Sequence, residues 1–170
     1  MENYIKNAVN QFEKLLTEQL ERAERMSNAQ PAKDFKSLNK IKVGLCGGDG
    51  IGPIIMKEAR RLLNSLLSEE LASGRIELCE IDGLTIENRL EKGQPVPDDV
   101  LAKIKSCDVI LKGPTTTPKG GKMESANVTL RRELDLYANV RPVSVPEEGI
   151  DWMFYRENTE GEYTLGSKGI

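Results

Sequence analysis

The sequence predicts an α/β fold in which a partial parallel or mixed sheet is flanked by helices. Two observations carry this prediction. From residue 41 onward, short apolar runs alternate with segments of helical period, and a glycine-rich turn follows the first apolar run. Parallel strands need crossover connections, which are usually helices. A chain of 170 residues is long enough for one domain or for part of a larger one.

The first 26 residues predict an amphipathic helix that precedes the α/β region. Its apolar residues recur at steps of three and four: Ile5, Val9, Phe12, Leu15, Leu16, Leu20, Ala23 and Met26. Such a helix cannot cover its own apolar stripe, so we expect it to pack on its own domain or on another chain. Acids interrupt the segment, which is atypical of a targeting signal and favours the cytoplasm. Residues 27–40 lack any period and are predicted to be a linker.

The remaining residues, 41–170, supply the alternating elements. The helix after the glycine turn begins with Pro53, where the missing N–H group costs nothing. The predicted strands are 41–46, 75–81 and 107–113; the predicted helices are 53–67, 84–92, 98–105 and 124–134; extended segments follow at 136–143 and 151–157. We expect the strand at 107–113 to be buried, because its residues are almost all apolar.

Composition excludes several classes of function. The net charge is -3, so the chain has no basic field for nucleic acid and no polybasic patch for a membrane surface. Histidine is absent, which excludes Ser-His and Cys-His catalysis and leaves Asp, Glu, Lys or Tyr for proton transfer. Cys46, Cys79 and Cys107 are far apart in sequence and predict reduced thiols in buried strands.

The glycine turn "GGDGIGP" invites comparison with the dinucleotide-binding fingerprint GxGxxG. Here the spacing is GxGxG, at Gly48, Gly50 and Gly52, and the next acid at a strand end, Asp82, comes 30 residues after Gly52. This departure favours a structural turn over a phosphate site, although the spacing alone leaves both interpretations open.

A second group of polar residues lies in the later part of the chain. Asn127 and Arg131 are four residues apart and share one face of the predicted helix, and Ser125 lies near its start. Arg141 and Arg156 follow or lie within apolar strands, so we expect them at strand ends, where open sheets bind ligands. Three converging guanidinium groups would bind a polycarboxylate. The alternative is separate surface salt bridges worth about 0–1 kcal/mol each.

Four motifs together resemble one enzyme family. "GGDGIGP", "KGPTTTP", "SANVTLRRELDLYANVRPV" and "RENTEGEY" resemble, in order and spacing, the β-decarboxylating dehydrogenases of the isocitrate and isopropylmalate family. The chain is most similar to the NAD-dependent isocitrate dehydrogenases, which serve the tricarboxylic acid cycle. The resemblance implies that NAD or NADP oxidises the substrate hydroxyl. It also implies that Mg²⁺ or Mn²⁺ polarises the carbonyl of the β-keto acid, which then loses carbon dioxide.

The resemblance also implies a substrate and its contacts. Ser125 and Asn127 would reach the distinctive carboxylate of the substrate, and Arg131, Arg141 and Arg156 would bind its other carboxylates. Family members that act on isopropylmalate carry leucines where this chain has "ESANVTL". A hydroxyl and an amide at these positions favour a third carboxylate, so isocitrate is the expected substrate and homoisocitrate the next.

Three further residues take their meaning from the same resemblance. Tyr163 would be the general acid that protonates the enol carbon after decarboxylation. Thr117 would lie near the nicotinamide ring. Glu124 departs from the family pattern, because related isocitrate enzymes often have a basic residue just before the serine. We expect this acid to be unfavourable beside an anion pocket unless its side chain points away.

The family's metal-binding aspartates, catalytic base and adenosine loop all lie beyond the segment that matches residue 170, so we expect no metal ligands in this chain. It is expected to be the substrate-binding, N-terminal half of an isocitrate dehydrogenase, ending inside the small domain. The missing half would come from a complementary C-terminal polypeptide or a full-length homologous subunit, in an oligomer. Alternatives are a regulatory isocitrate-binding subunit, part of a homoisocitrate or isopropylmalate dehydrogenase, or a fragment.

Overall fold

The computed structural model describes residues 2–28, 33–120 and 123–161. Contacts divide the chain into two units, and residues 35–159 form the larger one. The smaller unit contains helix α1, Glu2–Ser27, which confirms the helix predicted from the apolar period. Most large apolar side chains of its stripe are about half exposed or more, for example Ile5, Phe12 and Leu20, whereas Leu15 is half-buried. Its last turn carries Arg25, a favourable position for a cation near the negative end of the helix dipole.

The larger unit contains the alternating elements that the sequence predicts. In chain order they are β1 Ile41–Cys46, α2 Gly52–Leu66, α3 Ser68–Ala72, β2 Ile76–Glu80, α4 Ile86–Lys92, α5 Asp98–Lys105, β3 Val109–Lys112, α6 Ala126–Glu133, β4 Ala138–Val145, a 3₁₀ turn Pro146–Glu148 and β5 Ile150–Glu157. The α/β class is confirmed. The short helix α3 was not predicted, because the helical pattern before it reads as one continuous segment.

The parallel sheet has the strand order β2-β1-β3. Val43 of β1 lies opposite Leu78 on one side and Val109 on the other. Gly44 at the centre of β1 allows side chains to cross over it, since a Cβ atom there would lie 2.6 Å from Cδ1 of Ile81. The prediction that β3 is buried was wrong: Val109 is 42 % exposed, because in the described part of the chain β3 is an edge strand.

The hydrophobic core lies between this sheet and helices α5 and α6. Its buried members are Cys46, Ile81, Leu84, Val96, Val100, Ile104, Ala126 and Leu130. Helix α4 is fixed at both ends: the Thr85 hydroxyl accepts a hydrogen bond from the N–H of Asn88, and Gly93 takes the left-handed conformation after the last turn. Both caps are local contacts within a few residues of the helix ends.

Strands β4 and β5 form a separate antiparallel sheet, which we call the hairpin (residues 138–157). The 3₁₀ turn and Gly149, whose φ is 66°, connect the two strands. Both faces of the hairpin carry exposed large apolar side chains, namely Val140, Val143, Trp152, Met153, Phe154 and Tyr155. The sequence analysis expected extended segments here, but it did not predict that they pair with each other and stay apart from the parallel sheet.

The cysteines are free thiols, and only Cys46 is fully buried. Burial raises the pKa of the Cys46 thiol to about 11, so this group is protonated at neutral pH. Cys79 and Cys107 are half-buried, which corrects the expectation that all three lie in buried positions. Within the described ranges, no helix has the length and apolar character needed to cross a membrane.

Candidate functional site

Two loops meet at the carboxyl ends of the neighbouring strands β1 and β3. We call them the glycine loop (residues 47–52) and the threonine loop (residues 113–118). A Cβ atom on Gly48 would lie 2.1 Å from the carbonyl oxygen of Pro114, and one on Gly113 would lie 2.1 Å from that of Gly47. Glycine therefore lets the two backbones pack directly against each other. This contact supports a structural role for the glycine motif rather than a phosphate-binding one.

Lys112, the last residue of β3, begins a chain of polar contacts in the threonine loop. Its Nζ donates to the carbonyl oxygen of Gly113 (2.7 Å) and to Oγ1 of Thr115 (3.3 Å). The hydroxyl of Thr115 in turn lies 3.5 Å from Oδ1 of Asn127, at the limit of a hydrogen bond. The end of β3 is thereby connected to helix α6, which carries the predicted substrate residues.

Electrostatics make Lys112 unusual among the lysines of the chain. Burial lowers the pKa of its ammonium group, and the positive charges of Arg89 and Arg131 act in the same direction. The Arg131 charge is therefore near enough to be felt at Lys112. The sequence analysis missed Lys112. A lysine at the end of an apolar strand was the signal that could have identified it.

Helix α6 brings Asn127 and Arg131 together as predicted, since residues four apart lie on the same helix face. Both side chains are half-buried. Residues on the core side of the helix are buried instead, namely Ala126, Thr129 and Leu130. Ser125 is the N-cap residue, but its side chain makes no capping hydrogen bond. Its hydroxyl is thus not engaged by the helix end.

Glu124, the unexpected acid before Ser125, is bound by two partners on the other side of the helix. Arg132 donates to its two carboxylate oxygens from Nη1 (3.0 Å) and Nη2 (2.8 Å), and the hydroxyl of Thr129 donates at 2.8 Å. This bidentate pair compensates the negative charge. The departure from the family pattern is therefore not an unpaired acid beside the candidate site.

Arg141 and Arg156 lie on the hairpin. Arg156 is directly opposite Asn139 in the ladder, and Arg141 follows Asn139 by two residues, so all three share one face. Nε of Arg141 donates to Oδ1 of Asn139 at 3.2 Å. Arg141 lies in the middle of β4, which corrects the expectation that it emerges at a strand end, whereas Arg156 is the last residue but one of β5. The two strands are antiparallel, so neither arginine lies at the carboxyl edge of the parallel sheet.

The predicted site residues therefore form two groups, one at α6 and one on the hairpin. The connection between them is short and is held by Asn158, which is buried: its N–H donates to the carbonyl oxygen of Tyr137 (3.0 Å) and its Nδ2 to that of Leu136 (3.4 Å). Leu136 N–H donates to the carbonyl oxygen of Arg131 at 2.8 Å. The base of the hairpin is thus tied to the last turn of α6.

Other predicted features lie elsewhere. Thr117 is exposed on the threonine loop, and Tyr163 lies outside the described residues. In the described ranges, no group of three or more acidic or cysteine side chains is placed to hold a metal ion. A cleft of about 310 Å³ lies between the glycine loop, α2 and the end of β2, and none of the predicted substrate residues lines it.

Comparison with known proteins agrees with the order of these elements. The family model for isocitrate/isopropylmalate dehydrogenase matches residues 42–170. The chain belongs to this family. Helix α1 precedes the matched region, so the family match does not account for it.

Several family members are similar to this chain over part of their length. The NADP isocitrate dehydrogenase of Caldococcus noboribetus is 44 % identical over 125 residues, which cover 68 % of this chain and 29 % of that protein. Subunit 2 of the mitochondrial NAD isocitrate dehydrogenase of Saccharomyces cerevisiae is 36 % identical over 139 residues, covering 78 % and 35 %. The chain spans about a third of the length of the curated relatives it matches.

Solved structures show the same partial correspondence. A β-decarboxylating dehydrogenase from Thermococcus kodakarensis, in its apo form, superimposes with a TM-score of 0.59 at 34 % identity, covering 71 % of this chain and 35 % of that one. For the isocitrate dehydrogenase of Methylococcus capsulatus the TM-score is 0.56 at 35 % identity, with coverage of 72 % and 36 %. Similarity to this family therefore holds in both sequence and backbone.

Proposed function

We propose that this chain is the substrate-binding part of an isocitrate dehydrogenase, which converts isocitrate to 2-oxoglutarate by oxidative decarboxylation. The observation that carries the proposal is the chain of contacts from Lys112 through Thr115 to Asn127 at the carboxyl end of β3, with Arg131 on the same face of α6 as Asn127. Two cations and an amide in a half-buried position suit a ligand with several carboxylates. Each charge-assisted hydrogen bond to such a ligand contributes about 1.5–3 kcal/mol.

In this proposal the α6 group and the hairpin group bind different carboxylates of one substrate. Ser125 and Asn127 contact the carboxylate that distinguishes isocitrate from isopropylmalate, and Arg131 binds a second one. Arg141 and Arg156, which share a face of the hairpin, bind the remaining carboxylate. Arg132 and Thr129 bind the carboxylate of Glu124, so its negative charge is compensated. This supports binding of a substrate with a third carboxylate, because Glu124 does not repel it as an unpaired acid would. Isocitrate is preferred over homoisocitrate on the strength of the relatives' names.

Two residues are proposed to take part in the chemistry rather than in substrate binding. Tyr163 donates a proton to the enol carbon after carbon dioxide has left, and Thr117 contacts the nicotinamide of the cofactor. When bound, NAD or NADP accepts the hydride and Mg²⁺ or Mn²⁺ polarises the substrate carbonyl. The metal ligands are proposed to lie outside this chain, because the family's metal-binding aspartates lie beyond the segment that matches residue 170.

We further propose that a second polypeptide completes the site. The hairpin exposes large apolar side chains on both faces, and helix α1 exposes an apolar stripe. Surfaces of this kind are typical of subunit contacts. The partner is either a complementary C-terminal half or a full-length homologous subunit, and the assembly is placed in the cytoplasm.

An isocitrate titration by calorimetry tests the substrate assignment. We expect the wild-type chain to bind isocitrate and Arg131→Ala to lose about 2–3 kcal/mol of binding free energy, because a substrate carboxylate is left unpaired. Arg61→Ala is the matched control, since Arg61 is exposed on α2 and pairs with Glu58. Equal affinities in the wild type and both variants would show that Arg131 does not bind the substrate.

A further inference from the structure

Three segments of the chain meet at the buried carboxylate of Asp49, in the glycine loop. Its Oδ1 accepts a hydrogen bond from the N–H of Ile86, the first residue of α4, at 2.7 Å. Its Oδ2 accepts one from the N–H of Thr116 in the threonine loop, also at 2.7 Å. The backbone N–H of Asp49 donates to the carbonyl oxygen of Pro114 at 2.8 Å. One side chain therefore holds the glycine loop, α4 and the threonine loop together.

Arg89 completes this arrangement from helix α4 and has no exposed surface. Its Nη1 donates to the carbonyl oxygen of Thr116 at 2.9 Å, and its Nε donates to that of Pro95 at 2.8 Å. The same Nη1 lies 3.7 Å from Oδ2 of Asp49. Thr116 is therefore held at both of its backbone groups, the N–H by the carboxylate and the carbonyl by the guanidinium.

Stability alone does not account for this buried pair. Nη2 of Arg89 is buried without a hydrogen-bond partner among the described residues, and an unmade hydrogen bond at a buried cation is unfavourable. Buried ion pairs are in general weak contributors to stability, since well-packed apolar residues often replace them without loss. What the pair does provide is a fixed geometry for the backbone of Thr116.

Thr116 separates two residues with roles in the candidate site. Thr115 connects Lys112 to Asn127 through its hydroxyl, and Thr117 is the proposed contact of the nicotinamide. We propose that Asp49 and Arg89 are positioning residues that hold the threonine loop in the conformation that binds ligands. The claim that Asp49 and Arg89 hold the loop depends only on the hydrogen bonds described above. The identity of the ligand depends on the proposed function.

Amide hydrogen exchange of the whole chain, resolved by NMR, tests the holding of the loop. In Asp49→Ala both acceptor oxygens are removed, so the Thr116 N–H loses its hydrogen-bond partner on this side chain. We expect the Thr116 amide to exchange at least tenfold faster, relative to the amides of β1 in the same protein. The control Ile104→Ala weakens the core, so it should accelerate both sets of amides alike.

A second variant keeps the test decisive if Asp49→Ala fails to fold. Arg89→Lys retains the positive charge opposite Asp49 but lacks the planar fork that reaches two carbonyl oxygens. It should also release the threonine loop relative to β1. Unchanged relative exchange at Thr116 in a folded variant of either kind would overturn the proposal.

Isocitrate affinity then tests whether the held conformation matters for binding. We expect Asp49→Ala to bind isocitrate at least tenfold more weakly and Ile104→Ala to bind within twofold of the wild type. Equal affinities in all three proteins would overturn the positioning role. Absence of binding in the wild type would instead overturn the proposed function, and the exchange measurement at Thr116 would still decide whether Asp49 and Arg89 hold the loop.

Discussion

The α/β body (residues 41–135) and the hairpin that follows it differ sharply in how they bury apolar side chains. In the body, Val100 and Ile104 are 0 % and 2 % exposed between the sheet and its helices. In the hairpin, Trp152 and Tyr155 are 58 % and 72 % exposed although both lie in regular strands. Regular backbone hydrogen bonding is thus present in both regions, but among the described residues only the body has a second layer that covers its apolar face.

This difference indicates that the two regions are stabilised in different ways. Two-stranded hairpins are marginally stable in water by themselves, and three or more strands or a packed helix are normally needed. The tie of Asn158 to Leu136 and Tyr137 holds the base of the hairpin but covers none of its large apolar residues. We therefore expect the body to fold on its own core and the hairpin to gain stability from another chain.

The largest expected effect contrasts truncations in the two regions. Ile104→Ala removes a buried side chain and should lower the free energy of unfolding by about 2–5 kcal/mol, because the core is left with a cavity. Trp152→Ala should change it by about 0.5 kcal/mol or less in the dilute chain, since the side chain is already exposed. Urea denaturation of both variants measures the contrast, and similar losses would show that the hairpin has a covered core of its own.

The next largest expected effect is on the association of the hairpin with another chain. If another chain covers the hairpin, Trp152→Ser should weaken that association by about 2–4 kcal/mol, since exposed tryptophans are frequent hot spots. Trp152 also packs edge to face against Phe154 at a ring separation of 6.0 Å, so the loss disturbs both rings. Sedimentation over a concentration series gives the association constant. Leu66→Ser, at an equally exposed position on α2, is the control, and equal weakening there would argue against the hairpin.

Within the body, substitution of Lys112 should weaken isocitrate binding without lowering the stability of the fold. Lys112→Met should lower the isocitrate affinity by about 1.5–3 kcal/mol, the value of a charge-assisted hydrogen bond. The same change should leave the free energy of unfolding equal or higher at pH 7, because burial lowers the pKa of Lys112 in the folded chain. Calorimetry and urea denaturation measure the two quantities, with the exposed Lys103→Met as control.

The sign of the pH dependence sharpens the same prediction. The unfolded state holds the Lys112 proton more tightly than the folded state, so the contribution of Lys112 to wild-type stability should rise with pH below the ordinary value of 10.5. Lys112→Met should lack this contribution. If Lys112→Met loses stability at pH 7 and keeps its affinity for isocitrate, Lys112 has a structural role and does not bind the substrate.

The smallest effect concerns the buried thiol of Cys46. Its pKa rises from 9.0 to about 11 on folding, so between these values the unfolded state releases a proton that the folded state keeps. The contribution of Cys46 to stability should therefore fall with rising pH in that window, by at most about 1.4 kcal/mol per pH unit. Cys46→Ala should show a shallower slope from pH 9 to 11 in urea denaturation. Identical slopes would indicate that water reaches this thiol in the folded chain.

The sequence predicted the body well because its signals are local. The apolar run at 41–46, the proline at the start of α2 and the acids Asp98 and Asp99 in the first turn of α5 each act within a few residues. The hairpin was harder to predict, since pairing of β4 with β5 depends on a turn that lacks the usual two-residue signature. Exposure of β3 was missed for a similar reason: an apolar run does not reveal whether its strand lies at an edge.

The candidate site divides in the same way. Asn127 and Arg131 could be placed on one face from their spacing alone, because a helix has a fixed period. The position of Lys112 beside Thr115, and the compensation of Glu124 by Arg132, could not be read from spacing. The roles assigned to Ser125, Arg141, Arg156, Thr117 and Tyr163 are proposals drawn from the family resemblance.

By itself the sequence determined the family, the alternation of strands and helices, and the apolar stripe of α1, since periodicity and turn chemistry act between near neighbours. Only the tertiary structure decided that Asp49 and Arg89 hold both backbone groups of Thr116, and that burial lowers the pKa of Lys112. Such effects depend on which distant segments meet and exclude water, and a buried polar group takes its partner from whatever segment the fold brings to it.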